Sequence, residues 1–130
     1  MIQICRRLLA AVALCASLTS HAAPGDLDTT FGLGSGKVIT AIGPGNDYGR
    51  ALALQPDGKI LVAGECFSGG NHVFCLARHL PSGALDPSFN TTGTVISAIG
   101  PGRDTANALA LQPDGKIVVV GYCSNDTNED

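Results

Sequence analysis

The chain has no tryptophan, few other aromatic residues and one methionine, and charged residues make up only 15% of its 130 positions. So little charge beside 45% hydrophobic residues excludes an intrinsically disordered chain, which needs the opposite balance. A basic surplus is also missing: the formal net charge is -3, which argues against a nucleic-acid binder. Glycine is plentiful, with 17 residues, but lacks the period of three that collagen requires. The apolar run Leu8–Leu18 falls well short of the roughly 20 residues a bilayer-spanning helix needs. What remains is the composition of one ordinary globular domain.

The N-terminus reads as a secretory signal peptide over residues 1–22: Arg6 and Arg7 precede the apolar run, and Ser20, His21 and Ala22 form a small-x-small site. Cleavage is expected between Ala22 and Ala23, since a cut one residue later would leave Pro24 beside it. Lipidation at Cys15 is disfavoured by Leu14, where a small residue would be required. The mature chain then has 6 Lys+Arg against 11 Asp+Glu. This balance favours solubility and disfavours polyanionic partners such as nucleic acid. A secreted or periplasmic location follows, with no stable membrane insertion once the signal is removed. Cys5 and Cys15 leave with the signal, so Cys66, Cys75 and Cys123 remain in a compartment that permits disulfides.

The strongest signal is an internal repeat. Gly36–Cys66 aligns with Gly93–Cys123 at a constant offset of 57, with 22 of 31 positions identical, and the decapeptide Ala51–Ile60 returns unchanged as Ala108–Ile117. Upstream, Gly25, Leu27, Asp28 and Phe31 match Gly83, Leu85, Asp86 and Phe89 at an offset of 58. The domain organisation is therefore a leader (1–22), a first β repeat (23–82) and a second, truncated β repeat (83–130).

Within a repeat, short β-rich runs alternate with Gly, Pro, Asn and Asp clusters, and no helical spacing persists. Four strands are expected: Lys37–Ile42, Arg50–Gln55, Lys59–Cys66 and Val73–Leu80, with Pro56-Asp57-Gly58 as a hairpin and Phe67–His72 as a loop. The run Ile60-Leu61-Val62-Ala63-Gly64 is apolar at every position and so needs cover on both faces. Copies of a four-stranded sheet stacked on one another supply that cover. The predicted fold class is all-β: one four-stranded antiparallel propeller-like blade plus a second, incomplete blade. A small β-sandwich is the alternative.

The patterns G-x-L-D-x-[ST]-F, A-L-A-x-Q-x-D-G-K-I-x-V-x-G and F-x-L-A-R resemble the delta-60 repeat of secreted and surface-associated bacterial proteins. The match is carried by Leu27, Asp28, Thr30, Phe31, Asp47, Ala51, Leu52, Ala53, Gln55, Asp57–Ile60, Val62, Gly64, Phe74 and Leu76–Arg78, and by their second-copy equivalents. The resemblance implies a tandem propeller-like β array with no settled biochemical activity. The chain departs from that pattern in holding fewer than two copies and in its cysteines. It is expected to stop mid-blade, so that it is either a fragment of a longer product, the favoured reading, or a chain that completes itself by pairing its open β edges with other copies.

An antiparallel hairpin over the Phe67–His72 loop brings Cys66 and Cys75 side by side, so a disulfide is expected, while Cys123, equivalent to Cys66, is expected to lack its counterpart. Cys66, His72, Cys75 and His79 can be written as a zinc set, but C-x5-H-x2-C-x3-H is no recurrent metal pattern. Ser124, Asn125, Asp126, Glu129 and Asp130 offer oxygen ligands for calcium, though a solvated terminus is the simpler reading. The glycines of Gly32–Gly36 and Gly43-Pro44-Gly45 read as turns, not phosphate loops. Asp47 and Asp104, like Asp28 and Asp86, are repeat copies expected to bond local backbone amides. With His72 and His79 the only mature histidines and no G-x-S-x-G elbow, no catalytic residue is nominated and no cofactor is implied. Asn90 and Asn125 fit the N-glycosylation pattern, which matters only in a host that uses it. The expected function is a secreted, non-enzymatic β-repeat module acting as a structural or interaction scaffold. The alternative is part of a larger propeller enzyme or ligand-binding protein whose site lies in further repeats.

Overall fold

A computed structural model describes residues 23–125; the expected leader, residues 1–22, lies outside them, as do residues 126–130. The described residues form strands β1 (Asp47–Leu54), β2 (Ile60–Ser68), β3 (Asn71–His79), β4 (Thr94–Ser97), β5 (Asp104–Leu111) and β6 (Ile117–Cys123), with no helix among them. All pairings are antiparallel: β1-β2-β3-β4 make one sheet, and β5-β6 the start of a second. This is an all-β arrangement of propeller-like blades, one four-stranded and one represented by two strands.

The repeated sequence folds twice into the same hairpin. In the first copy the Gly58 amide donates to the Gln55 carbonyl at 2.9 Å, and the Gln55 amide to the Lys59 carbonyl at 2.8 Å. Asp57 accepts the Lys59 amide at 3.2 Å. The second copy repeats all three bonds at Gly115, Gln112 and Asp114. Both hairpins slip register at one place, between Gly49 and Ala51 and between Ala106 and Ala108, so Arg50 and Asn107 are bulge residues. The β2–β3 connection is tighter than the Phe67–His72 loop expected from the sequence. Ser68 already pairs with Asn71, leaving Gly69-Gly70 at positive φ (63° and 95°), as a two-residue hairpin turn requires.

Lys37–Ile42, expected as the first strand, is not a strand. Its equivalent in the second repeat is: β4 pairs with β3 of the first repeat, Ala77 facing Thr94 and Phe74 facing Ser97. A strand exists only where a neighbour takes its hydrogen bonds, and the first blade takes its outer strand from the second repeat. Among the described residues nothing upstream offers Lys37–Ile42 such a neighbour. The first blade consequently runs across residue 83, the expected start of the second repeat.

The crossover from β3 to β4 shows what the signature shared by the two copies does. Arg78 donates from Nε to Asp86 at 2.9 Å and from Nη2 to Ser88 at 3.1 Å, and its guanidinium lies 4.5 Å above the Phe89 ring. Asp86 also accepts the Ser88 amide and hydroxyl, at 3.0 and 2.7 Å. One arginine thus gathers the Asp, Ser and Phe of the turn. In the first copy Asp28 makes the same local turn with Thr30, at 2.9 and 2.6 Å.

Both faces of β2 are covered, as its unbroken apolar run demands. Leu61, Ala63 and Glu65 point to one face, across which β5 packs over β1, β2 and β3. Gly64 and Cys66 share the other face with Val73, Cys75, Ala77 and His79, and Ile42 packs against the cysteine cluster there. Beside the bulge the backbones touch: a Cβ at Gly64 would run into the Tyr48 carbonyl, and one at Gly121 into that of Thr105. Gly64→Ala is therefore expected to destabilise the fold by about 1–3 kcal/mol, as overpacking does. Gly49→Ala, at a position where the second repeat already carries Ala106, should leave the urea midpoint nearly unchanged.

Candidate functional site

The most elaborate polar constellation lies between the two repeats. Glu65, fully buried on β2, accepts from Arg103 Nη2 at 2.6 Å and Arg50 Nη2 at 2.8 Å on one oxygen. Its other oxygen accepts from Arg103 Nε at 2.9 Å and the Thr105 hydroxyl at 2.6 Å. Arg50 reaches it from the β1 bulge, while Arg103 and Thr105 come from the second repeat. Burial alone pushes the Glu65 carboxyl up, but the hydrogen bonds from Arg103, Thr105 and Arg50 outweigh it and hold the group at about 2. The two-pronged contact from Arg103 has the geometry of a strong, charge-assisted pair. Both guanidinium groups remain about half exposed, which spares most of their desolvation cost. With both oxygens committed to donors and its charge retained at neutral pH, this carboxylate suits a joint between blades rather than proton transfer.

The repeated aspartates serve the backbone. Asp47 accepts the Ile42 amide at 2.7 Å and the Gly43 amide at 3.2 Å; Asp104 accepts those of Ile99 and Gly100 at 2.8 and 3.2 Å. Each thereby fastens the glycine-proline turn ahead of its strand. Asp86 is held below the usual carboxylate range, first by its hydrogen bond from the Ser88 hydroxyl.

Cys66 and Cys75 are joined in a disulfide with their Cα atoms 5.7 Å apart. They are diagonal neighbours rather than direct partners, since Cys66 faces Val73 and Cys75 faces Gly64. Cys123 ends β6 opposite Asp104, the place that Cys66 holds opposite Asp47. The Cys66, His72, Cys75 and His79 set does not converge. His72 lies on the opposite face from His79, beside Tyr48 and Phe67 (ring centroids 5.9 and 5.5 Å away), and His79 is about 13 Å along the strand from Cys75. The His79 Nδ1 lies 2.8 Å from the Gly83 carbonyl, which can only accept, so Nδ1 carries the proton. Among the described residues no group of His, Cys, Asp and Glu could hold a metal ion. The calcium set of Ser124, Asn125, Asp126, Glu129 and Asp130 extends beyond the described residues, as does the Asn125 glycosylation pattern. Asn90 sits in the turn before β4 and donates its amide to the Thr94 carbonyl at 2.8 Å.

A cavity of about 310 Å³ lies between residues 31–42 and the first sheet, with Phe31, Val38, Ile42, Leu52, Val62 and His79 among its walls. It opens on the face of the first blade opposite the second, and its lining is mainly apolar.

Sequence reasoning missed the Glu65 joint, although the repeat contains its signal. Among the few non-identical positions in the aligned repeats are Asn46/Arg103, Tyr48/Thr105 and Glu65/Tyr122. These are the positions at which one repeat must differ from the other to meet it.

Two outcomes follow from this geometry. The folded Glu65 carboxyl titrates near 2, below its ordinary 4.5, so its contribution is complete above pH 4.5 and lost as pH falls toward 2. Glu65→Gln should lower stability at pH 7 by about 2–3 kcal/mol and flatten the acid limb of the stability curve, read by urea unfolding between pH 2 and 7. Replacing Cys66 and Cys75 together by serine should cost about 2–3 kcal/mol, the constraint expected of so short a loop. Thermal unfolding with and without reductant measures it.

Comparison with known families finds a model described as a domain of unknown function (DUF5122), beta-propeller, matching residues 55–89 and 112–130. The two stretches begin at Gln55 and Gln112, equivalent residues at the start of the same turn. No curated protein and no solved structure matches the chain. The chain is a β-propeller-like repeat protein, similar to this family over both matched stretches.

Proposed function

We propose that this chain is a secreted, non-enzymatic β-repeat module of the delta-60 kind, acting as a structural or interaction scaffold outside the cytoplasm. The observation that carries the reading is the use made of its buried polar groups. Glu65 ties one repeat to the next, Asp47 and Asp104 hold backbone turns, and Asp86 anchors the crossover. Side chains that would have to move protons or bind substrate are instead committed to holding blades together. The Cys66–Cys75 disulfide supports an oxidising compartment, and the expected leader supports export. No helix among the described residues is long and apolar enough to cross a membrane.

Expressed with its leader in a bacterial host, the chain should be recovered outside the cytoplasm with Ala23 as its first residue, read by N-terminal sequencing. It should turn over none of a panel of chromogenic esters, glycosides, phosphate esters and peptides. Cytoplasmic retention with reduced Cys66 and Cys75 would refute export. Turnover that disappears in His79→Ala would refute the non-enzymatic reading and place a reaction in the cavity instead.

A further inference from the structure

Residues 32–43 cross one face of the first sheet as a strap fastened at both ends. At one end the Gly32 amide donates to the Ser82 carbonyl at 2.9 Å. At the other the Ile42 and Gly43 amides donate to Asp47 at 2.7 and 3.2 Å. Between these ties the strap belongs to no sheet, and its residues alternate: Val38, Thr40 and Ile42 line the cavity of about 310 Å³ beneath it, while Ile39 stands 94% exposed. Leu52, Val62 and Ala77 supply the opposite wall from the sheet. The cavity is thus walled on both sides by this chain's own residues. It is about twice the roughly 150 Å³ that takes a benzene molecule, which gives room for two fused rings.

One buried polar side chain on the wall is only half committed. His79 is 8% exposed and donates from Nδ1 to the Gly83 carbonyl. That bond leaves Nε2 as an acceptor with no partner among the described residues. Gly83 also abuts the end of the cavity: a Cβ there would stand 2.7 Å from Val38 Cγ2 and 3.0 Å from the Phe31 ring. The carboxylates of the lining are already spent, Asp47 on the amides of the strap and Glu65 on Arg50, Arg103 and Thr105. Thr40 adds a neutral hydroxyl, and neither lysine nor arginine lines the space. An apolar chamber with one unfilled acceptor and no cation selects a neutral guest that carries a donor. A bare hydrocarbon leaves Nε2 unpaired, and an anion loses its water without gaining a counter-charge.

We propose that this cavity binds a small, neutral, largely apolar molecule about the size of two fused rings, held by an N–H or O–H that donates to His79 Nε2. The inference goes beyond the scaffold reading and does not rest on it: binding without turnover describes a scaffold that carries a ligand.

Indole is the probe, because it has this bulk and a single N–H, and a chain without tryptophan leaves its fluorescence unobscured. It should bind the purified chain with a Kd on the order of 100 µM, and indene, the same shape with carbon in place of the nitrogen, about tenfold more weakly. Phenylacetate, an anion of similar bulk, should not bind at neutral pH. Long-range proton–nitrogen correlation spectra should show the Nε2 resonance of His79 moving when indole is added and staying still with phenylacetate. Thr40→Phe, which fills the cavity from the strap, should abolish binding with circular dichroism as in the parent. His79→Phe should take indole and indene alike; should that variant fail to fold, the indole-to-indene ratio and the Nε2 shift on the unaltered chain still decide. No binding of indole at about 1 mM overturns the proposal, as does indene bound as tightly as indole, or binding that survives Thr40→Phe. Turnover of a bound probe would remove the non-enzymatic reading and leave the site standing.

Discussion

A β-strand with a run that is apolar at every position, as Ile60–Gly64 is, has two faces to hide, and a single sheet in water can hide only one. Strand β2 imposes that constraint on everything around it. On one face the second repeat closes over Leu61 and Ala63; on the other, Ile42 and its neighbours lie against the disulfide and β3. At the contact between the repeats, burial of apolar side chains supplies the drive and Glu65 supplies the register. Four donors from three residues meet a single carboxylate that water cannot reach. Stacking copies of one sheet satisfies such a strand without any new fold element, which is the logic of repeat proteins.

Borrowed strands add a second form of cohesion. Because β4 belongs by sequence to one repeat and by hydrogen bonding to the sheet of the other, the blades are joined through backbone as well as side chains. The Arg78 cluster sits at the exchange point and holds the crossover with a guanidinium that meets a carboxylate, a hydroxyl and an aromatic face.

Much of the fold was legible because its signals are local. The Pro-Asp-Gly turns, the two long hairpin strands and the cysteines flanking one hairpin all depend on residues close in the chain. The disulfide lies on the expected pair, though diagonally, because Gly69-Gly70 makes a tighter turn and the strands run further than their β propensity alone suggests. Lys37–Ile42 misled for a reason of the opposite kind: its pattern matches β4, but strand structure belongs to a pair, and the pair is a matter of long-range neighbours. The zinc reading was unattractive by spacing, and alternation along β3 gives it a geometric obstacle, sending His72 and His79 to opposite faces.

The order of residues alone determined that the chain repeats itself, that each copy is built of strands and turns, and that its central strand must be covered twice, since period and turn chemistry act within a few residues. Only the tertiary structure decided which strand completes which sheet and that a glutamate on one copy is held by an arginine and a threonine on the next. Those partners lie 38 and 40 residues away in sequence, and only the stacking of the two sheets brings them within hydrogen-bond reach.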